Sequence, residues 1–216
     1  PSTSLSVAAE VPQQSGPSNL SERRKVEVET DLLKLSFDTE GASLVKTELL
    51  KYSDAEKPDQ AVVLLDQSSN RVYMAQTGLI GGDFPTHKTP MSFSGERKLK
   101  EGQDELTVRF ESSEINGVQL IKTYTFKRGS HVIGVKHDVV NKGSVPVSPQ
   151  LYMQLVRDGN KLPGESSFYA TFTGPAVYTE AKKYQKVEFS DLKDKSGDYE
   201  KQSQNGYIAM VQHYFA

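Results

Sequence analysis

The strongest constraint on this chain is a two-residue period that restarts many times between Val26 and Val156, with no sustained helical period before residue 180. Val26, Val28, Thr30 and Leu32 alternate with Glu27, Glu29 and Asp31, which is how a strand with one buried face reads. The adjacent pair Leu32-Leu33 breaks the phase, and Leu35 and Phe37 continue on the other parity. That shift predicts a bulge or a strand junction near Leu33. Asp38-Thr39-Glu40-Gly41 supplies turn chemistry, and residues 44–50 read as the next strand. Residues 62–65 and 72–75 are two further strands, and Gly78, Gly81, Gly82, Pro85 and Pro90 predict a long loop over 78–90.

The clearest hairpin spans residues 106–126. Asn116-Gly117 invites a two-residue type I′ turn, but that register puts Leu106, Val108 and Phe110 on the face of Thr123 and Thr125. A three-residue loop, 115–117 with Gly117 left-handed, sets Val108 against Tyr124 and Leu106 against Phe126. Register follows the buried face, so the three-residue loop is preferred. His131, Ile133, Val135, His137 and Val139 form another alternating strand, and residues 145–156 start again after Pro146 and Pro149, placing those prolines at a strand start or edge. One short helix is expected around 182–186. Short strands with turns about every ten residues predict an all-β, antiparallel sandwich.

Composition bounds the rest. A chain of 216 residues suits one sandwich of roughly 200–250 residues. No Cys is present, so there is no disulfide framework, thiolate metal site or Cys nucleophile. A formal charge of −2 gives no electrostatic reason to expect nucleic acid or anionic lipid. The longest apolar runs, 61–65 and 207–211, are five residues, against about 20 for a membrane helix. Residues 1–25, rich in Pro and Ser and poor in aromatics, read as a disordered linker. Because the chain starts at Pro1, it reads as a piece of something longer. Asn19-Leu20-Ser21 matches the glycosylation tripeptide and is read as a chance match.

No Walker loop, dinucleotide fingerprint, His-Glu-x-x-His or nucleophile elbow occurs. Residues 194–200 carry alternating oxygen donors but lack the length and terminal Glu of a calcium loop, and a polar loop is expected. Of His87, His131, His137 and His213, only His131 and His137 share a strand, and their spacing puts them roughly 20 Å apart. No metal, cofactor or catalytic role is assigned to them. Phe168, Tyr169, Phe172, Tyr178, Tyr184 and Phe189 cluster with Lys182, Lys183 and Lys186. Three readings stay open: core anchors alternating with a solvated face, an exposed patch that docks a protein, or a stacking platform for single strands. The last lacks a basic chain to support it. The partner-binding candidates are Phe168, Phe172, Tyr178 and Tyr184.

Three blocks in order resemble a known family. They are Val26-Glu-Val-Glu-Thr-Asp-Leu-Leu-Lys-Leu-Ser-Phe-Asp-Thr-Glu-Gly41, Gly117-Val-Gln-Leu-Ile-Lys-Thr-Tyr-Thr-Phe-Lys-Arg-Gly129, and Gly206-Tyr-Ile-Ala-Met-Val-Gln-His-Tyr-Phe-Ala216. With Tyr178-Thr179 and residues 184–192, the likeness covers residues 26–216 and is to the periplasmic domain of the bacterial membrane-protein insertase YidC. Ala42, Tyr207 and His131 depart from the family pattern, which favours Gly, Trp and an aromatic there. The resemblance implies a large twisted β-sandwich of the galactose mutarotase type over 26–216, continuing past Ala216. It also implies a non-catalytic periplasmic part of an inner-membrane protein, anchored by other segments. As partners it implies Sec translocon accessory subunits and nascent membrane proteins, reached through a long edge strand or the 168–189 surface. Two rivals are a bare spacer and a carbohydrate-binding or mutarotase-like sandwich. The carbohydrate rival needs His131 or His137 to meet a carboxylate and a second His in a deep groove.

Overall fold

The computed structural model describes residues 10–12, 24–160, 172–194, 196–212 and 215. The predicted linker, 1–25, lies almost wholly outside them. The chain has an all-β, antiparallel sandwich fold and divides into two compact units, one ending at Val156 and one beginning at Arg157.

In the first unit, β1 (Lys25–Glu29), β2 (Leu33–Asp38), β3 (Ser43–Ser53), β4 (Ala61–Gln67) and β5 (Val72–Ile80) form one sheet in that order, with β10 (Gln150–Arg157) beside β5. A second sheet takes β6 (Met91–Gly95), β7 (Glu105–Ser112), β8 (Val118–Lys127) and β9 (Ile133–Asn141) in sequence order. Alternation makes the core: Val26 and Val28 of β1, Leu33, Leu35 and Phe37 of β2, and Leu106, Val108 and Phe110 of β7 are all buried. The sheets meet at aromatic rings. Phe37 packs 5.4 Å from Phe110 and 4.7 Å from Tyr124, and Phe93 lies 5.3 Å from Phe110. Burying such rings is worth about 1.5–3 kcal/mol each before packing is counted.

The phase break at Leu32-Leu33 is a strand junction. Thr30 Oγ1 accepts from Leu32 and Leu33 N–H, and Thr30 N–H donates to Leu33 O at 2.8 Å. The bulge of this hairpin pair falls later, between Ser36 and Phe37 against β3. The β7–β8 register is the expected one, with Val108 opposite Tyr124 and Leu106 opposite Phe126. The turn is not. Ile115 and Val118 exchange both backbone hydrogen bonds at 2.9 Å, with Asn116 and Gly117 both at positive φ, which is a two-residue type I′ turn. The parity change comes from an extra residue between Ser112 and Ile115, where the ladder slips by one.

Three boundaries differ from expectation. The predicted 78–90 loop starts only after Ile80, because β5 runs through Gly78 with the Tyr152 ring against it, a close approach that glycine permits in a strand. Strand β10 begins at Gln150, after both prolines, which cannot donate to a ladder. Residues 182–186 are not helical. Lys183 takes φ 58° and opens β12 (Lys183–Lys186), which pairs with β11 (Gly174–Thr179), so strand pairing overrides local propensity. The short helix α1 (Phe189–Asp194) follows. The second unit is completed by β13 (Gly206–Val211), and its sheet runs β12-β11-β13.

Candidate functional site

Register decides which side chains share a face in the second unit. Tyr178 of β11 stands opposite Tyr184 of β12 and Tyr207 of β13, so the three tyrosines form one row across the sheet. The Tyr178 and Tyr207 rings stack 4.9 Å apart and 7° from parallel. Tyr184 is 47% exposed and Tyr207 58%, so the row faces solvent at both ends. The next row on that face is Lys186, Ala176 and Ala209. Beyond it Gly174 has no Cβ, and one built there would lie 2.9 Å from Phe172 Cζ. The Phe172 ring occupies that space, with Lys186 Nζ 5.0 Å from its centroid, a cation–π contact.

Phe172, Tyr178 and Tyr184 are therefore brought to one face, and Phe168 lies outside the described residues. The residue that the sequence reading did not assign to this patch is Tyr207, and its signal was the alternation of β13. The opposite face is tied down in part by the chain around Asp198: Gln185 Nε2 donates to Asp198 O at 3.2 Å, and Glu200 N–H donates to Gln185 Oε1 at 3.2 Å. The aromatic face offers a contact surface for an apolar or aromatic group.

Edge strands are the other candidate. β9, nine residues long, ends its sheet, and β12 and β13 end theirs. Val139 and Val140 of β9 are exposed. An exposed edge of this kind is a template for an added strand.

No two of the described histidines share a hydrogen-bond partner. His131 rests 5.8 Å from the Tyr52 ring, whereas His137 Nε2 lies 2.8 Å from Thr77 Oγ1 between the sheets. His87 Nδ1 is hydrogen-bonded to the Tyr152 hydroxyl. His213 lies outside the described residues. A groove of about 420 Å³ beside β6 is lined by Ser92, Ser94, Ser113, Glu111 and Gln119 among others and has no histidine in its wall. The geometry a mutarotase-like site needs is thus not met among the described residues, nor is there a His, Asp and Glu cluster fit for a metal ion. No helix among the described residues is long and apolar enough to cross a membrane.

One buried group went unremarked in the sequence. Lys122 of β8 is fully buried, and its Nζ donates to Gly41 O at 2.6 Å and Thr77 O at 2.7 Å. Burial pushes its pKa down to about 7, because a low dielectric disfavours the charged form. Its parity with Leu120 and Tyr124 was the signal that could have found it.

A family model of the YidC periplasmic domain matches residues 25–216. The chain belongs to this family. Among curated relatives, the membrane protein insertase YidC of Bordetella parapertussis is 50% identical over 197 residues, covering 89% of this chain and 34% of the relative. That of Cupriavidus metallidurans is 48% identical over 193 residues, with 89% and 34% covered. That of Janthinobacterium sp. is 46% identical over 191 residues, with 88% and 34% covered. The chain spans about a third of the length of the curated relatives it matches. The family is described as the YidC periplasmic domain, and the antiparallel sandwich expected from the resemblance is what this chain adopts.

Proposed function

We propose that this YidC periplasmic domain is a non-catalytic protein-interaction module of an inner-membrane insertase. It aids the insertion and folding of inner-membrane proteins together with the Sec translocon, while other segments of the polypeptide anchor it. Sec accessory subunits and nascent membrane proteins are its partners. Support comes from the family membership together with one observation, the solvent-facing row Tyr184–Tyr178–Tyr207 flanked by Phe172 and Lys186. Aromatic side chains supply large contact area at low entropic cost, and they dominate the centres of protein interfaces. Phe168, outside the described residues, is proposed as a further partner-binding residue.

The test is site-specific photo-crosslinking in the full-length insertase, with the crosslinker at position 184 or 207 and a control at exposed Glu101. Adducts with Sec subunits or a nascent chain at 184 and 207, and none at 101, are expected. Adducts confined to transmembrane segments would remove the docking role and leave a spacer.

A further inference from the structure

The space between the sheets of the first unit holds a cluster of bases that the docking role does not use. Lys122 and His137 are direct cross-strand partners on β8 and β9, and both reach Thr77 of β5, one at its carbonyl and the other at its hydroxyl. Lys122 also holds the carbonyl of Gly41, and the next inward side chain of β8, Tyr124, donates its hydroxyl to Ala42 O at 2.8 Å. The Gly41–Ala42 turn is backed by His87, whose carbonyl carbon and oxygen pack against Gly41. The Tyr152 hydroxyl accepts from His87 N–H at 3.0 Å and bonds Nδ1 of the same residue. The two contacts fix the His87 ring against Tyr152. The Nε2 of His87 is buried without a partner.

Acidic compensation is weak: the Asp138 charge raises the His137 pKa, but burial and the charge of Lys122 outweigh it. The elements around them bring Lys88 and Tyr152 against His87, Asp138 against His137, and Asp38 and Glu40 on the turn. No carboxylate hydrogen-bonds to Lys122, His87 or His137 among the described residues. Asp138 is held at 2.8 Å by Lys136, and Asp38 Oδ1 accepts from Glu40 N–H.

We propose that Lys122, His137 and His87 form an acid-sensitive latch between the two sheets, in which imidazole protonation frees the Gly41–Ala42 turn and Thr77 from β8 and β9. Protonating His87 puts a charge near Lys88 and Lys122 and leaves its buried Nε2–H without an acceptor. A proton on His137 sets a cation directly beside the Lys122 ammonium. Burial holds both imidazoles down to about 4, aided by the charges of Lys88 and Lys122 at His87 and by that of Lys122 at His137, where Asp138 opposes it. Protons are therefore taken up on opening, and between about 6.5 and about 4 each drop of one pH unit favours the open form by up to tenfold per histidine.

Hydrogen exchange read by mass spectrometry tests this on the whole chain, at pH 7 and pH 5, corrected for the intrinsic pH dependence of exchange. Peptides over 39–46 and 74–80 should lose at least about tenfold in protection at pH 5, while 105–112 should change little, and the variant H87Q/H137Q should abolish the difference. Uniform loss across all three segments, or an acid effect that persists in the variant, overturns the latch. If that variant does not fold, the His137 imidazole is titrated by NMR in the wild type. A midpoint near 4 sustains the latch, and one near 6.5 overturns it.

Discussion

Replacing Gly41 with Ala separates two costs that are usually entangled. Gly41 sits at φ 69°, and a Cβ there would lie 2.1 Å from the backbone oxygen of His87 and 2.4 Å from its carbonyl carbon. The left-handed conformation alone costs an Ala about 1–2 kcal/mol. Backbone cannot swing aside as a side chain does, so the turn must move away from residue 87. That motion strains the Gly41 N–H bond to Thr89 O (2.8 Å) and the Lys122 bond to Gly41 O (2.6 Å), worth about 1 and about 2 kcal/mol. The sum is about 4–5 kcal/mol. Gly129 provides the control, at φ 72° with nothing within 4 Å of an added Cβ; Gly129→Ala should cost only the conformational part, about 1–2 kcal/mol. Urea unfolding followed by circular dichroism measures both, with equal slopes required for the comparison. The two variants should differ by about 3 kcal/mol, or roughly 6–12 °C in melting temperature for a chain of this size. If they agree within about 0.5 kcal/mol, which is the spread expected for independent, unexceptional sites, the close approach does not govern this turn.

Phe110 is fully buried among Phe37, Phe93 and Tyr124, so Phe110→Ala should cost about 3–5 kcal/mol in the same unfolding assay. Lys122→Met removes a buried amine whose pKa falls to about 7 on folding. Between pH 7 and about 10.5 the unfolded chain holds more protons, so the wild type gains stability with rising pH, by up to about 4–5 kcal/mol. The methionine variant lacks that gain and leaves two carbonyls unpaired, so its deficit should grow from pH 6 to pH 10; parallel stability curves would refute the assignment. For His87 and His137 the sign is the same in a lower window. Their stabilisation is complete above about 6.5 and lost as pH falls toward about 4, so H137Q should flatten the acid limb of a melting-temperature profile. Tyr184→Ala, at an exposed position, should change stability by less than about 0.5 kcal/mol, and Tyr207→Ala, which loses the stack on Tyr178, by about 0.5–1.5 kcal/mol, while both weaken the partner crosslinks.

Much of the first unit was legible because period two is a local property. The inward parity of Leu106, Val108 and Phe110 against Tyr124 and Phe126 follows from which face is apolar, and the register it demands is the one observed. Asn116-Gly117 signals the type I′ turn as well, but the bulge outside the turn that reconciles it with the register carries no local signal. Residues 182–186 misled for a related reason. Their composition tolerates a helix, and only the ladder with β11 makes them a strand.

The sequence by itself determined the fold class, the family and the buried face of most strands, since alternation, turn residues and ordered blocks lie within a few positions of one another. Only the tertiary structure decided what the inward positions do to each other. Lys122 and Tyr124 are one step apart in a pattern. They become a staple because Gly41, Ala42 and Thr77, 45 to 82 residues away in the chain, put carbonyls within their reach. Likewise Tyr178, Tyr184 and Tyr207 are scattered aromatics until the ladders of β11 set them in one row. Parity tells a side chain which way to point, but the distance to its partner depends on how the sheets close, and no local pattern carries that.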